Sequence, residues 1–513
     1  MSDSKLAKTS VLIIAFGLIS KFMALVRQSS IGAIYGQSGN TDAYMVAMKI
    51  IIISTTMLGV ILNTTLIPLL TEIQNEEDKK KSDIFFNSVL NWVLLISFFT
   101  GFIIYFFAPQ LVKITALGYK GEQFELTVNL VRLASPMVFG LNFAFLFGNY
   151  LQSEKIFGPY AATGIIYNLI FFFAFFILKV GNSIRGLMII TICATVSQAI
   201  FLIPFLRNVG YEYKPTLKIK KRYRNEIFIL IIPIILGEII QLVNVLVNQN
   251  LASFLEKGVI SALDNVNKLN NAILSIFIAA FTTAIFPYLS DAFSKSDRKK
   301  IVEMLDLGVI TVFLITLPAT IMIMSLSTPI IKLIFERNQF TPENTVITAG
   351  ALYYYTIGMS AMAMRMHLYK AYFSFHDTKT PMLNGAVTVL FEVIFSLLLI
   401  KPMGYKGLAL AYSIGMTSGV LIMFVKLKKK VPEINVRKYM INFLKIILSS
   451  VMSGISVKFI YNILINGVLG FKLGNFLSVL ISSTLGLVIY VILILLLKVQ
   501  EFKIFIKSLL KHN

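Results

Sequence analysis

Asp42, Lys49, Thr56 and Asn63 fall seven residues apart in an otherwise apolar stretch of the chain. Seven residues make almost two helical turns, so the four share one helix face. Adding 219 to each number gives Ser261, Lys268, Ser275 and Thr282, so the polar stripe recurs and its lysine with it. Asn267, Asn270 and Asn271 widen the second stripe. Upstream, Lys21 and Arg27 interrupt "FGLISKFMALVRQSSIGAIYG" (16–36). Their six-residue separation puts them about 120° apart around a helix. A cation at hydrocarbon depth costs at least about 2.5 kcal/mol unless it faces water or a partner. The Ser, Thr and Asn groups read as ordinary glue between membrane helices. The cations need more than that, although Arg27 has the alternative of snorkelling to the outer surface. Arg and Lys are the side chains that grip phosphate oxygens by charge-assisted hydrogen bonds. The chemistry on offer is therefore the holding of an anion. Asp42 is the obvious counter-ion for Arg27 or Lys49 when the guest is absent, or one arm of a gate.

Other charges lie within apolar segments. Glu238, in "LGEIIQLVNVLVNQN", and Glu392, in "VLFEVIFS", are candidates for a coupling-ion site, because an acid in lipid must be protonated, paired or bound to a cation. Arg132 and Arg365 either line a polar cavity or pair with neighbours. Glu303 and Asp306 are expected to be solvated at a helix end. The chain has no "GxxxxGK[ST]" loop, no "GxSxG" elbow and no metal pattern among its three histidines at 367, 376 and 512. No cofactor is expected. A Na+ or H+ gradient or the membrane potential, worth about 2.3 kcal/mol per charge per 100 mV, would have to drive any transport. Cys193 is the lone cysteine, so no intrachain disulfide forms.

The elements that position these groups are membrane helices. Over 513 residues the chain is 57% hydrophobic and 14% charged, with mean hydropathy +0.79. Apolar runs of spanning length recur from end to end, and the short alternating strands of a β-barrel are absent. Fourteen spans are expected between residues 10 and 498. The first reads as a retained helix, since it lacks a small-residue cleavage site. The net charge of +22 reflects basic loops, not nucleic-acid binding. One set of ends, including "DKKKSD" (78–83), "KPTLKIKKRYR" (214–224) and "KLKKK" (426–430), holds roughly 28 Lys and Arg against roughly 10 opposite. Both termini are therefore expected in the cytoplasm. The tail "KVQEFKIFIKSLLKHN" reads as a basic amphipathic helix on the inner surface.

The two halves resemble each other. "TTLIPLLTE" (64–72) matches "TAIFPYLSD" (283–291), "APQLVKI" (108–114) matches "STPIIKLI" (327–334), and "YLQSEKIFGP" (150–159) matches "YFSFHDTKTP" (372–381). The offset stays near 220, which implies two copies of a six-helix unit followed by two extra spans. The expected division is 1–210 for the first lobe, 211–224 for a basic linker, 225–430 for the second lobe, and 431–513 for the extra helices and tail. An even offset in span number gives both copies the same orientation. That predicts a pseudo-two-fold axis along the membrane normal and a cationic cleft between the lobes.

The opening segment resembles a known family. "LISKFMALVRQSSIGAIYGQSGNTDAYMVAMKI" is similar to the start of the lipid II flippases (MurJ/MviN) of the multidrug/oligosaccharidyl-lipid/polysaccharide exporter superfamily. That family reads "SR…GFxRD…FG…TDAFxxAFK". Ser20-Lys21 stands for Ser-Arg, Arg27 for the second Arg, Thr41-Asp42-Ala43-Tyr44 for the TDAF box, and Lys49 for the lysine that follows. "NVNKLNN" resembles "YADRLxxFP", which places Lys268 at a cavity arginine, and "HDTKTP" (376–381) is close to the loop before span 11. The resemblance implies a flippase of the bacterial cytoplasmic membrane. It would carry lipid II, the undecaprenyl-diphosphate-linked peptidoglycan precursor, from inner to outer leaflet by alternating access. Lys21, Arg27, Asp42, Lys49, Lys268, Asn267, Asn271 and Arg365 would line its cavity, and Glu238 and Glu392 would hold a coupling ion. Membrane lipids and cell-wall synthesis proteins are the implied neighbours. Two family arginines are lysines here, at 21 and 268. The arginine-bearing "LLRRxxxEGAFSQAFVP" is replaced by "IIISTTMLGVILNTTLIP" (51–68). Export of another polyprenyl-linked saccharide is the alternative. A cation-coupled drug antiporter fits less well, because cationic drugs favour an acidic cavity.

Overall fold

The computed structural model describes residues 3–177, 183–295, 297–467, 474–499 and 501–502. Among these residues the regular elements are all helices. The first eight are α1 (Asp3–Tyr35), α2 (Gly39–Glu76), α3 (Lys79–Phe106), α4 (Ala108–Thr115), α5 (Gly121–Ala134), α6 (Met137–Ser153), α7 (Gly158–Phe172) and α8 (Ile184–Asn208). A π-helical turn, Phe173–Ile177, extends α7. The next eight are α9 (Lys221–Ser253), α10 (Val259–Ser294), α11 (Arg298–Ser325), α12 (Ser327–Phe335), α13 (Pro342–Thr356), α14 (Met359–Ser374), α15 (Lys379–Met403) and α16 (Tyr405–Lys430). Two more follow, α17 (Val436–Asn466) and α18 (Asn475–Leu496).

The repeat is visible in this order. α3 and α11 both have 28 residues, α4 and α12 have 8 and 9, and α5 and α13 have 14 and 15. The matched segments "APQLVKI" and "STPIIKLI" are the same short amphipathic helix in each half, not the ends of spans. In both copies a short break then separates two further helices, α5 from α6 and α13 from α14. Between α5 and α6 the axis bends by 43° at Ser135-Pro136, where proline brings no N–H. Between α13 and α14 the Gly358 N–H is shared between Tyr355 O at 3.2 Å and Ser413 Oγ at 2.8 Å.

Among the described residues, ten helices are long and apolar enough to cross a membrane, or eleven if the bent pair is one span. Fourteen were expected. Those over 225–254, 261–290 and 343–374 are helical, as α9, α10 and the pair α13 and α14, but are not among the ten or eleven. Long apolar side chains such as Phe98, Phe102, Phe106, Leu398 and Phe459 stay exposed along the spans, as lipid-facing surfaces require. Helix starts are fixed by polar loop residues that take an orphan N–H. Ser38, Asp78, Ser183, Asp297 and Asn435 each accept from a backbone amide of the helix they precede.

The chain forms two compact units, Met1–Ser261 and Ala262–Asn513. In the first, Leu66, Leu70, Phe86, Tyr150 and Leu202 from α2, α3, α6 and α8 make one core. In the second, Leu305, Met364, Met423, Ile446 and Ile494 from α11, α14, α16, α17 and α18 make another. Asp306 departs from expectation here. It is held by Lys438 of α17 at 2.8 Å, because a carboxylate facing a packed helix needs a partner, while Glu303 is exposed as expected. Lys438 also meets Glu501 at 2.9 Å, and the rest of the expected amphipathic tail lies outside the described residues.

Within the first unit, residues 209–220 form an extended strap along α3. Asn87 Nδ2, Asn91 Nδ2 and Trp92 Nε1 donate to the carbonyls of Glu212, Thr216 and Leu217 at 3.2, 2.8 and 3.3 Å. Ser88 Oγ donates to Lys218 O at 2.9 Å. Side chains of one helix thus replace the strand partner that an extended backbone would otherwise need. At the strap's end Lys220 Nζ and Tyr223 OH both bond Glu77 at 2.5 Å, and Arg222 bridges Glu72 and Glu76.

Candidate functional site

The α2 stripe is real as geometry, but its members differ in what they touch. α2 has 38 residues, about 57 Å of helix, far longer than a hydrocarbon core of about 30 Å. Asp42 lies in its first turn and is 2% exposed. Its carboxylate accepts from Gly258 N at 2.6 Å and Ser261 N at 2.8 Å. Neither Arg27 nor Lys49 is its counter-ion in this structure. The cause is the N-terminus of α10, whose first amides lack intrahelical acceptors and carry the positive end of the helix dipole. Gly258 has φ +92°, and a Cβ there would lie 2.7 Å from Gln37 O, so the turn that presents these amides requires glycine. Tyr119, in the turn after α4, is pushed up in pKa by burial and then by the Asp42 charge.

Lys49 is half-buried and has no hydrogen bond or ion pair among the described residues. Thr56 spends its hydroxyl on Ile52 O at 2.7 Å, and Asn63 is exposed. Thr55, Thr64, Thr65 and Thr71 also bond carbonyls of their own helix. These hydroxyls are satisfied without a partner helix. In α1, Lys21 is exposed, whereas Arg27 is half-buried, its guanidinium 4.6 Å from the Tyr167 ring centroid and 5.6 Å from that of Phe171. That stacking on aromatic rings follows from α1 packing along α7 and stands where snorkelling was the alternative. Glu238 of α9 is half-buried, and further along the same helix Asn248 Nδ2 donates to Asn244 Oδ1 at 2.8 Å. Arg132 pairs with a neighbour, Nε donating to Tyr105 O at 3.3 Å.

In the second unit Lys268 forms an ion pair with Asp264, one turn earlier on α10, at 2.6 Å. Asn271 Nδ2 donates to Asn267 Oδ1 across the next turn. Asn270 is 1% exposed, and neither of its amide atoms is bonded among the described residues. Ser275 bonds its own helix at Ala272 O, and the side chain of Thr282 lies outside the described residues. Tyr355 of α13 stacks on Tyr412 of α16 with centroids 3.9 Å apart. Asp264 and Glu392 are both electrostatic neighbours of Tyr355, and Glu392 and Arg365 are both neighbours of Tyr412. Glu392 is 4% exposed. Arg365 donates to Met416 Sδ at 3.3 Å, with its guanidinium 5.2 Å from the Tyr369 ring. Lys268, Asp264, Glu392 and Arg365 therefore belong to one polar group organised around the tyrosine stack. Sequence reasoning missed Asp264, although its four-residue spacing from Lys268 was there to be read. The tyrosine stack and Tyr167 had no such signal, because aromatic residues are common throughout the spans.

Long apolar helices, broken spans and cations held within the helices define a polytopic membrane protein. Its fold matches transporters. A solved structure described as lipid II flippase MurJ in an inward closed conformation superposes with TM-score 0.80 at 23% identity, covering 98% of this chain and 100% of that one. An inward-facing MATE family multidrug resistance transporter of the MOP superfamily gives TM-score 0.69 at 14% identity, covering 81% and 98%. Residues 31–480 match the family model described as lipid II flippase MurJ, and the chain belongs to that family. Among curated relatives named probable lipid II flippase MurJ, the Treponema pallidum protein is 25% identical over 445 residues, 83% of each chain. The Thermotoga maritima protein is 26% identical over 502 residues, 95% of this chain and 96% of that one.

Proposed function

We propose that this protein is a flippase for lipid II. It would act in the bacterial cytoplasmic membrane, carrying the undecaprenyl-diphosphate-linked precursor from inner to outer leaflet by alternating access, with both termini in the cytoplasm. The single observation that carries the reading, beyond family membership, is Lys49: a half-buried cation within a spanning helix, with no anion among the described residues. Such a group is tolerated where water or an anionic guest reaches it. Lys21, Arg27, Lys268, Asn267, Asn271 and Arg365 are the further groups offered to the diphosphate and its sugars. Asp42 acts less as a ligand than as a latch on the first turn of α10, closed here and released during the cycle. Glu238 and Glu392 remain the candidates for a coupling cation, each in its own unit.

The test is complementation of a bacterium depleted of its own lipid II flippase, with wild type, Lys49→Ala and Lys268→Ala at matched expression. Rescue by wild type and failure of both variants is expected. A well-expressed wild type that does not rescue would move the substrate to another polyprenyl-linked saccharide. That second reading draws on the lysines at 21 and 268, which keep charge but lose the bidentate fork of arginine.

A further inference from the structure

Under the strap of the first unit lies a cavity of about 360 Å³, bounded by α2, α3, residues 217–219 and the first turns of α9. Its wall includes Leu62, Leu66, Val89, Val93, Leu217 and Ile219. That size is in the range of pockets that hold small ligands, and a close-packed interior rarely keeps such space empty. One cationic side chain, Arg224, reaches the same cavity.

The charge around it is distributed unevenly. The strap and the start of α9 hold Lys214, Lys218, Lys220, Lys221, Arg222 and Arg224. Lys214 faces Glu212, Lys220 is tied to Glu77, and Arg222 to Glu72 and Glu76. Lys218, Lys221 and Arg224 form no ion pair among the described residues, and of these three Arg224 is the one that lines the cavity. Trp92 also lines the cavity and is 46% exposed, with its Nε1 fixed on Leu217 O. An indole with an apolar body in lipid and a polar edge on backbone marks the headgroup level of a bilayer. An apolar slot lined by such an indole, with a guanidinium that has no ion pair among the described residues, has the chemistry of a chain and an anionic phosphate.

We propose that this cavity binds one acyl chain of an anionic phospholipid, whose phosphate rests on Arg224. The lipid would brace the strap against α3. The site is built from residues of α2, α3, α9 and the strap and uses none of the cations assigned to the transported substrate, so it stands apart from that assignment.

The protein supplies its own reporter, because Trp92 is its one tryptophan. The full chain is reconstituted into phosphatidylcholine bilayers containing increasing fractions of either dibromo-phosphatidylglycerol or dibromo-phosphatidylcholine, and Trp92 fluorescence is read. One arginine near the surface favours an anionic lipid by about fivefold, so the brominated phosphatidylglycerol should quench at about fivefold lower fraction. Arg224→Gln should erase that preference, and Arg224→Lys should keep most of it. Ile61→Phe, which fills the cavity and leaves Arg224 in place, should weaken quenching by the anionic lipid. Equal quenching by the two lipids in wild type, or an undiminished preference in Arg224→Gln, overturns the proposal. Displacement of the brominated lipid by undecaprenyl diphosphate but not by excess phosphatidylglycerol also overturns it, since the slot would then belong to the transported lipid.

Discussion

Replacing Asp42 by alanine should loosen the first turn of α10 more than any other part of the first unit. The wild-type carboxylate takes two amides, Gly258 N at 2.6 Å and Ser261 N at 2.8 Å, in a position only 2% exposed. A hydrogen bond to a charged group is worth about 1.5–3 kcal/mol, and a buried amide left without an acceptor costs about 1–3 kcal/mol. The charge at a helix N-terminus adds up to about 2 kcal/mol in a partly buried setting. These contributions overlap, so the loss is about 3–5 kcal/mol. At about 1.4 kcal/mol per factor of ten, local opening becomes roughly a hundred to several thousand times more frequent. Hydrogen–deuterium exchange read by mass spectrometry on a peptide covering residues 255–262 measures this directly, with a peptide from α17 as the unperturbed control. Asp42→Asn keeps one neutral acceptor and should fall between alanine and wild type. If Asp42→Ala exchanges like wild type in this peptide, the latch is not made of these two bonds. If exchange rises equally in α17, the residue holds the whole fold and not one turn.

Acid should release the strap. Glu77 is held well below the usual carboxylate value of 4.5, at about 2, first by its bond to Lys220 and then by those to Tyr223 and Lys81. A depressed folded-state value means the tether is fully present above pH 4.5 and is lost as pH falls toward 2. Trp92 emission should therefore hold steady from neutral pH down to that window and change within it, whereas Glu77→Gln should show the loosened spectrum already at neutral pH. Gly258→Ala should lower the thermal midpoint, since it meets both the positive φ and Gln37 O, a strain of about 1–3 kcal/mol. Ser413→Ala leaves the Gly358 amide at the break between α13 and α14 with only the Tyr355 carbonyl at 3.2 Å, and thermal denaturation should report a loss of about 0.5–1.5 kcal/mol. Lys268→Ala should impair transport more than Lys49→Ala, because it uncovers Asp264 as well as removing a cation. Asp264→Asn should restore part of that loss in the double variant, and equal transport by Lys268→Ala with and without Asp264→Asn would count against it.

Much of this was legible because membrane helices repeat simple rules. The run length of apolar residues marks spans, and the near-constant offset of "APQLVKI" and "STPIIKLI" anticipates the same helix order in both halves. The seven-residue spacing correctly placed Asp42, Lys49, Thr56 and Asn63 on one helix. What each group touches was not legible, since that depends on packing. Asp42 was paired in thought with the nearest cations in sequence, but its true acceptor role is for amides more than 200 residues away. Asp306 looked solvated because it sits near a helix end, and only the arrival of α17 makes it a partner for Lys438. The strap and its cavity left no periodic signal, because an extended segment held by Asn87, Ser88, Asn91 and Trp92 of a helix follows neither the strand nor the helix period.

The repeat also shows where the two halves stopped being equivalent. Lys268 corresponds to Lys49 by the offset of 219, and Asp264 then corresponds to Met45. The second lysine therefore carries an acid one turn away on its own helix, and the first has an apolar, buried methionine at that place. A helix-borne ion pair has little net charge to offer an anion until the acid is drawn aside or protonated. Lys49 has no such acid beside it among the described residues. Asp264 lies within electrostatic reach of Tyr355, whose ring stacks on Tyr412 beside Glu392 and Arg365. A change of charge at Glu392 and one at Asp264 would both be felt at Tyr355. The two repeats thus place the same lysine in two settings, one beside an acid and one beside a methionine.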